Sequence, residues 1–319
     1  MTKPTFTGKD HYLIEGHDKP FVRFSYIADL AGGIHADQRF ATATITVDAV
    51  ADALAAFEGG EVPEGFLDIC RITESEPSWG AFCRWLTGSA GKSWAVGQFM
   101  RKQQSYADRG TLINQLLDHL VTNGPAPVSF AGEFLEQAML EWSEAAKLEW
   151  EGYIAAKNGG VLPKDAQKPS RGPQCPIDDA LPYAESLIRG WHELDGEIKV
   201  LQPFLTDTKR YMAGHPDGLG KYMGSPAVFE LKTSTDDSMK PNYRAQVGLE
   251  VRTFNEMTGT RAIGVLLMVT PEKFFPRIIS DQGLKDGIKD AECVLDMLKR
   301  KSMRGSFLTA RESKPKETK

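Results

Sequence analysis

Cysteine is scarce in this chain. Its four residues, Cys70, Cys83, Cys175 and Cys293, are nowhere spaced as a close thiolate pair. That argues against a zinc finger or ribbon and leaves buried thiols in a reducing compartment as the plain expectation. Long apolar runs are missing too. No stretch approaches the roughly 18–20 residues that a membrane helix needs. The first ten residues lack the apolar centre of a secretory signal, so a cytoplasmic protein with no membrane partner is expected. An excess of positive charge is also absent. There are 38 Lys and Arg against 43 Asp and Glu, a net charge of −5. Overall charge therefore does not mark a polyanion binder, and any basic surface has to be local. No internal repeat, helix-turn-helix or zinc module for reading bases is visible.

What is present is an ordinary globular composition, 41% apolar and 25% charged, in 319 residues. That length suits one large or two smaller domains. Alternation over residues 21–27 and 40–47 predicts strands. Asp48 is placed to cap a helix over 49–57, which stops at Gly59 and Gly60. Helical spacing follows over 78–86, 94–120 and the acid-rich 130–157. The Gly-Pro cluster at 123–127 marks a boundary, so residues 1–122 are expected as an α+β region of unknown role. Residues 157–176, polar and rich in Pro and Gly, predict a loop. The segment 299–319 carries eight Lys or Arg against two Glu and is expected to be a flexible basic tail. Gly88-Ser-Ala-Gly-Lys-Ser93 mimics a phosphate-binding loop. Leu86 stands where that pattern needs its first glycine, and a helix precedes it where a strand is required. A glycine turn at a helix end is the better reading.

The chemistry concentrates between Gly214 and Lys232. Asp217 lies on a Gly-Pro-rich turn after Pro216, and Glu230 and Lys232 lie on an apolar strand over 227–233. Residues two apart in a strand share a face, so Glu230 and Lys232 project together while Phe229 and Leu231 turn the other way. A buried carboxylate and ammonium are costly without partners. Two carboxylates able to share a hard cation, with a lysine beside them, suit metal-assisted phosphodiester hydrolysis.

Pro216-Asp217 followed by Glu230-Leu231-Lys232 resembles the PD-(D/E)XK nuclease superfamily. The surroundings strengthen the likeness: a strand over 197–204, a second strand one hairpin before Glu230, then the strand bearing Glu230. After it come a helix over 241–257 ending at Thr258-Gly259 and an apolar strand over 262–269. With Asn242-Tyr-Arg-Ala-Gln-Val247, the pattern looks most like the lambda-exonuclease/YqaJ branch of viral recombination nucleases. The resemblance covers about residues 180–300. It implies an α/β fold whose core is a mixed sheet of about five strands flanked by helices. The nuclease domain would span 128–298, with its core at 178–298. It further implies Mg2+, with Mn2+ able to substitute, held by Asp217, Glu230 and the carbonyl of Leu231. Lys232 would act on the scissile phosphate and Gln246 would support it. The superfamily's helix carboxylate is expected at Glu185, with Glu193 and Glu136 as alternatives. Lys240, Tyr243 and Arg244, at the start of the helix after Lys232, are expected at the DNA. His215 is expected to line the site without a catalytic role. Iron–sulfur members of the superfamily need clustered downstream cysteines, and only Cys293 lies downstream here.

The implied activity is exonucleolytic digestion of linear duplex DNA ends, 5′ to 3′, in a bacterial or phage-infected cell. A single-strand annealing or recombination protein would be a partner, and the assembly a homotrimer. A RecB-like nuclease for single strands or flaps is the alternative, although Glu250 occupies the position where that branch has an aromatic. A sequence-specific endonuclease comes third. A catalytically silent DNA-end-binding protein, or an N-terminal docking or inhibitory module with the nuclease as its effector, are readings from other classes.

Overall fold

The computed structural model describes residues 5–6, 11–14, 17, 20–35, 66–67, 70–71, 76–161, 168–169 and 172–312. The expected strand over 40–47, the Asp48 cap, the helix over 49–57 and residues 162–167, 170 and 171 of the loop over 157–176 lie outside them.

Two mixed five-stranded sheets organise the fold. The first contains β1 (Thr5–Phe6), β2 (His11–Leu13), β3 (Phe21–Arg23), β5 (Leu205–Asp207) and β6 (Met212–Gly214), in the order β1-β2-β3-β6-β5. The second contains β4 (Gly196–Leu201), β7 (Gly218–Tyr222), β8 (Ser225–Thr233), β9 (Ile263–Val269) and β10 (Phe274–Ile279), in the order β10-β9-β8-β7-β4. Only β8 and β9 are parallel in the second sheet, because α6 (Pro241–Thr258) carries the chain between them. This is the mixed α/β architecture that the pattern implied.

The strand expected over 21–27 is cut short. β3 ends at Arg23, and α1 (Phe24–His35) begins at the next residue. Phe24, Ile27, Ala28 and Ala31 are all buried, at offsets of zero, three, four and seven. Those offsets make a helical stripe, and it prevails over an alternation that spans only a few residues. The remaining helices are α2 (Trp79–Thr87), α3 (Ser89–Asn123), α4 (Phe130–Asn158), α5 (Ile177–Trp191) and α7 (Asp281–Glu312). Ser78 caps α2 by accepting the Ala81 N–H at 3.3 Å. The glycine turn expected here is present: Gly88 ends α2 by donating to the Arg84 and Trp85 carbonyls, and α3 follows at once. Residues 299–312, expected in a flexible tail, extend α7.

The second sheet is covered on both faces, and this positions the site. Ala227, Phe229 and Leu231 of β8 join Val265, Leu267 and Val269 of β9 in a core shared with α3, α4 and α5. Val228, Leu266 and Met268 face the other way, onto Tyr243, Val247 and Val251 of α6. The two-residue period of β8 therefore sends Glu230 and Lys232 toward α6, the side opposite α5.

The described N-terminal residues of β3, α1 and α3 are built into this body. β3 pairs in parallel with β6. Phe24, Ile27 and Ala31 of α1 share a core with Ala245 and Leu249 of α6 and with Ala291 and Val294 of α7. Helix α3 packs on α5 and β8 through Leu112, Ile113 and Leu116. The Gly-Pro cluster at 123–127 is thus a turn between two helices packed in one core.

Close contact of α6 with α7 depends on glycine. A Cβ on Gly287 would lie 2.2 Å from the Arg244 carbonyl oxygen and 2.7 Å from the Ala245 nitrogen. Backbone cannot yield as a side-chain tip can. Gly287→Ala is expected to destabilise the protein by about 1–3 kcal/mol, measured by urea unfolding.

Candidate functional site

The antiparallel register of β7 and β8 pairs Gly218 with Phe229, which brings Asp217 across from Glu230. Asp217 Oδ2 accepts the Leu231 N–H at 2.6 Å, and Oδ1 accepts Asn114 Nδ2 at 2.6 Å. Lys232 Nζ donates to Glu230 Oε1 at 2.7 Å and to Gln246 Oε1 at 3.0 Å. Gln246 Nε2 donates to Glu230 Oε1 at 2.6 Å and to Glu250 Oε1 at 3.0 Å. The Gln246 amide therefore ties the lysine to two carboxyl groups. Asp217, Glu230, Gln246 and Glu250 are all buried, Glu250 at 1% exposure.

Burial dominates the electrostatics. It raises the Asp217 carboxyl, against the pull of Lys232 and the Leu231 N–H. Burial and the neighbouring Asp217 push Glu230 up to about 7. Burial and Glu230 raise Glu250 well above the usual carboxylate range. Burial works to lower the Lys232 ammonium, but Glu230 and Asp217 outweigh it and hold the group above its ordinary value. Three carboxyl groups thus converge on one ammonium, a cluster short of positive charge.

The cluster opens into a cleft. One arm, of about 510 Å3, is walled by Arg23, Tyr26 and Asp29 beside and within α1, by Thr111 and Asn114 of α3, and by Asp217, Glu230 and Lys232. The other, of about 290 Å3, includes Tyr12, His215, Gln246 and Glu250. Both share Arg23, Ser25, Asp217, Glu230 and Lys232. His215 lines the cleft as expected, its Nδ1 lying 2.9 Å from the Gln202 carbonyl oxygen.

Among the described residues, no three His, Cys, Asp or Glu side chains form a group that could hold a metal ion. A closed all-protein cage is therefore not built here. A hard cation needs less, since magnesium takes one or two carboxylates and fills its shell with waters and substrate phosphate. Glu230 Oε2 is buried and has no hydrogen-bond partner among the described residues. With Asp217 opposite, the oxygen donors suit such an ion.

Several expected site residues lie elsewhere. Glu185 is on α5, paired with Arg189 at 3.3 Å and 38% exposed. It lines neither arm of the cleft, because α5 covers the opposite face of the sheet. Glu193, exposed beyond the end of α5, is not in the cleft either. Glu136 borders a neighbouring groove between α3 and α4, which meets the cleft at Thr111. Tyr243 is 7% exposed and packs in the α6 core, with Lys232 Nζ 5.9 Å and Lys240 Nζ 5.7 Å from its ring centre. It is packed into the core behind the lysine rather than being an outward contact, and it lines neither arm of the cleft. Lys240 stands at the N-terminus of α6, and neither it nor Arg244 lines the cleft.

Three residues in or beside the cleft were not anticipated: Asn114, Asp118 and Glu250. Asp118 accepts Gln202 Nε2 at 2.7 Å, and burial with the nearby Asp217 pushes it up to about 6. The signal for the first two is a polar stripe, Thr111, Asn114 and Asp118, on a helix whose other faces carry Leu112, Ile113, Leu116 and Leu117. For Glu250 it is an acidic residue one turn after Gln246 in an otherwise apolar run.

The fold and site define a mixed α/β protein with a carboxylate–ammonium cleft. No protein-family model matches the chain, and no curated protein matches it. Among solved structures, a "putative exonuclease" from Eubacterium rectale aligns with a TM-score of 0.35 at 12% identity, over 60% of this chain and 66% of its own. The protein SSO0001 aligns with a TM-score of 0.24 at 15% identity, over 63% of this chain and 86% of its own. Likenesses this loose carry no argument about activity. No helix among the described residues is long and apolar enough to cross a membrane.

Proposed function

We propose that the protein is a magnesium-dependent deoxyribonuclease of the PD-(D/E)XK type that digests linear duplex DNA from its ends, 5′ to 3′. The observation that supports this reading is the joint placement of Asp217, Glu230 and Lys232 at one cleft, with Gln246 fixing the lysine. Asp217, Glu230 and the Leu231 carbonyl would hold magnesium, or manganese in its place. Such an ion, when bound, neutralises phosphate charge and lowers the pKa of a water. Lys232 presents an ammonium to the phosphate, and its bonds to Glu230 and Gln246 hold it in one position. Asp217, Glu230 and Gln246 are buried in the floor of the cleft, where a lower local dielectric strengthens these interactions.

The substrate and assembly are part of the same proposal: DNA, a recombination or annealing partner, and a ring-shaped homotrimer. The test compares linear duplex with covalently closed circular DNA, in magnesium or EDTA. Digestion of the linear form alone, lost in EDTA, is expected. Cutting of the circle would replace the end-dependent reading with an endonuclease. Inertness toward both, and toward single strands, would leave a DNA-binding protein without catalysis.

A further inference from the structure

Asn114 has an unsatisfied atom that its known bond does not explain. Its Nδ2 donates to Asp217 Oδ1 at 2.6 Å, but its Oδ1 is buried and without a hydrogen-bond partner among the described residues. Glu230 Oε2 is in the same condition, on a side chain only 5% exposed. Both residues line the same arm of the cleft as Asp217 and Leu231. A buried oxygen without a donor is unfavourable, and two beside one buried carboxylate point to a shared positive partner.

Resting on the nuclease reading, we infer that Asn114 of α3 is a neutral oxygen ligand of the cation held by Asp217 and Glu230. An amide oxygen is a suitable donor for a hard divalent ion. A neutral ligand leaves two formal charges, from Asp217 and Glu230, to match the ion. The ammonium of Lys232 then remains for the substrate phosphate. Asp118, one turn further along α3, lines neither arm of the cleft and already accepts Gln202. The site is therefore completed by a helix that precedes both sheet strands of the cluster, with Asn114 lying 103 residues before Asp217.

The test is Mn2+ binding to the full chain without DNA, by calorimetry and by the metal-induced rise in Tm. Wild type, Asn114→Ala and Asn114→Asp are compared. Asn114→Ala is expected to bind at least about tenfold more weakly. Asn114→Asp is expected to bind more tightly than wild type. It should also melt lower in EDTA, since a second carboxylate then meets Asp217, and show the larger rise with Mn2+. A residue that only positions Asp217 through its N–H gives the opposite result, because aspartate lacks that donor. Weaker binding by Asn114→Asp overturns the inference, as does wild-type binding by Asn114→Ala. Either leaves the nuclease reading standing. Failure of wild type to bind Mn2+ overturns this inference and the metal assignment together. If Asn114→Ala does not fold, Asn114→Asp decides alone.

Discussion

Lys232→Ala is expected to abolish digestion of linear duplex DNA, lowering the single-turnover rate by about three orders of magnitude. The ammonium is held by Glu230 at 2.7 Å and Gln246 at 3.0 Å, so its position is set before substrate arrives. Alanine removes the charge facing the phosphate and the preorganisation with it. Lys232→Arg is expected to recover little, because a planar guanidinium does not fit the two acceptors that a compact ammonium bridges. Metal binding separates this effect from loss of the site. The ammonium competes with a divalent ion for Glu230, so Lys232→Ala should bind Mn2+ at least as tightly as wild type. A variant cleaving within tenfold of wild type would sink the assigned role of Lys232.

Glu230→Gln is expected to be inactive and, without metal, more stable than wild type. The sign follows from the carboxyl's environment. Burial and Asp217 raise it from 4.5 to about 7, so the fold disfavours its ionised form. The stability linked to this group is full below its ordinary value and is lost as pH rises through about 7. In EDTA, wild type should therefore lose Tm between about pH 5 and pH 8, and Glu230→Gln should lose less. The gap at pH 8 should be on the order of 2 kcal/mol. A shallower slope should remain in the variant, because Glu250 is raised in the same direction. Magnesium should restore the Tm of wild type but not of Glu230→Gln. A variant less stable than wild type at pH 8 in EDTA would mean that the Lys232 ion pair outweighs the burial of its charges.

The gain expected of Glu230→Gln reflects like charges gathered at a cost to the metal-free fold. Helix α6 is also held closely by its neighbour. Gly287 and Gly248 let α7 approach its backbone, and that fixes the Gln246 amide against Glu230 and Glu250. A looser helix would leave the carboxylates less well satisfied.

The sequence by itself determined the centre of the site. A two-residue period puts Glu230 and Lys232 on one face of β8, and the turn at Pro216 begins a strand that must run back beside it. Those are local rules, and β7, β8, α6 and β9 obey them. The stop at Gly259 also follows locally, from a left-handed φ of 70° that glycine adopts without strain. Tertiary structure alone decided what surrounds the centre. Residues 24–27 alternate like a strand, yet they join a helix because Phe24, Ile27, Ala28 and Ala31 find a core on α6 and α7. Glu185 lies on a helix near the site in sequence, but that helix covers the other face of the sheet. Asn114 lies 103 residues before Asp217 and still donates to it at 2.6 Å. Spacing along a chain reports which side chains share an element's face. It does not report which separate elements the burial of apolar surface will bring together, and that packing chose Asn114 over Glu185.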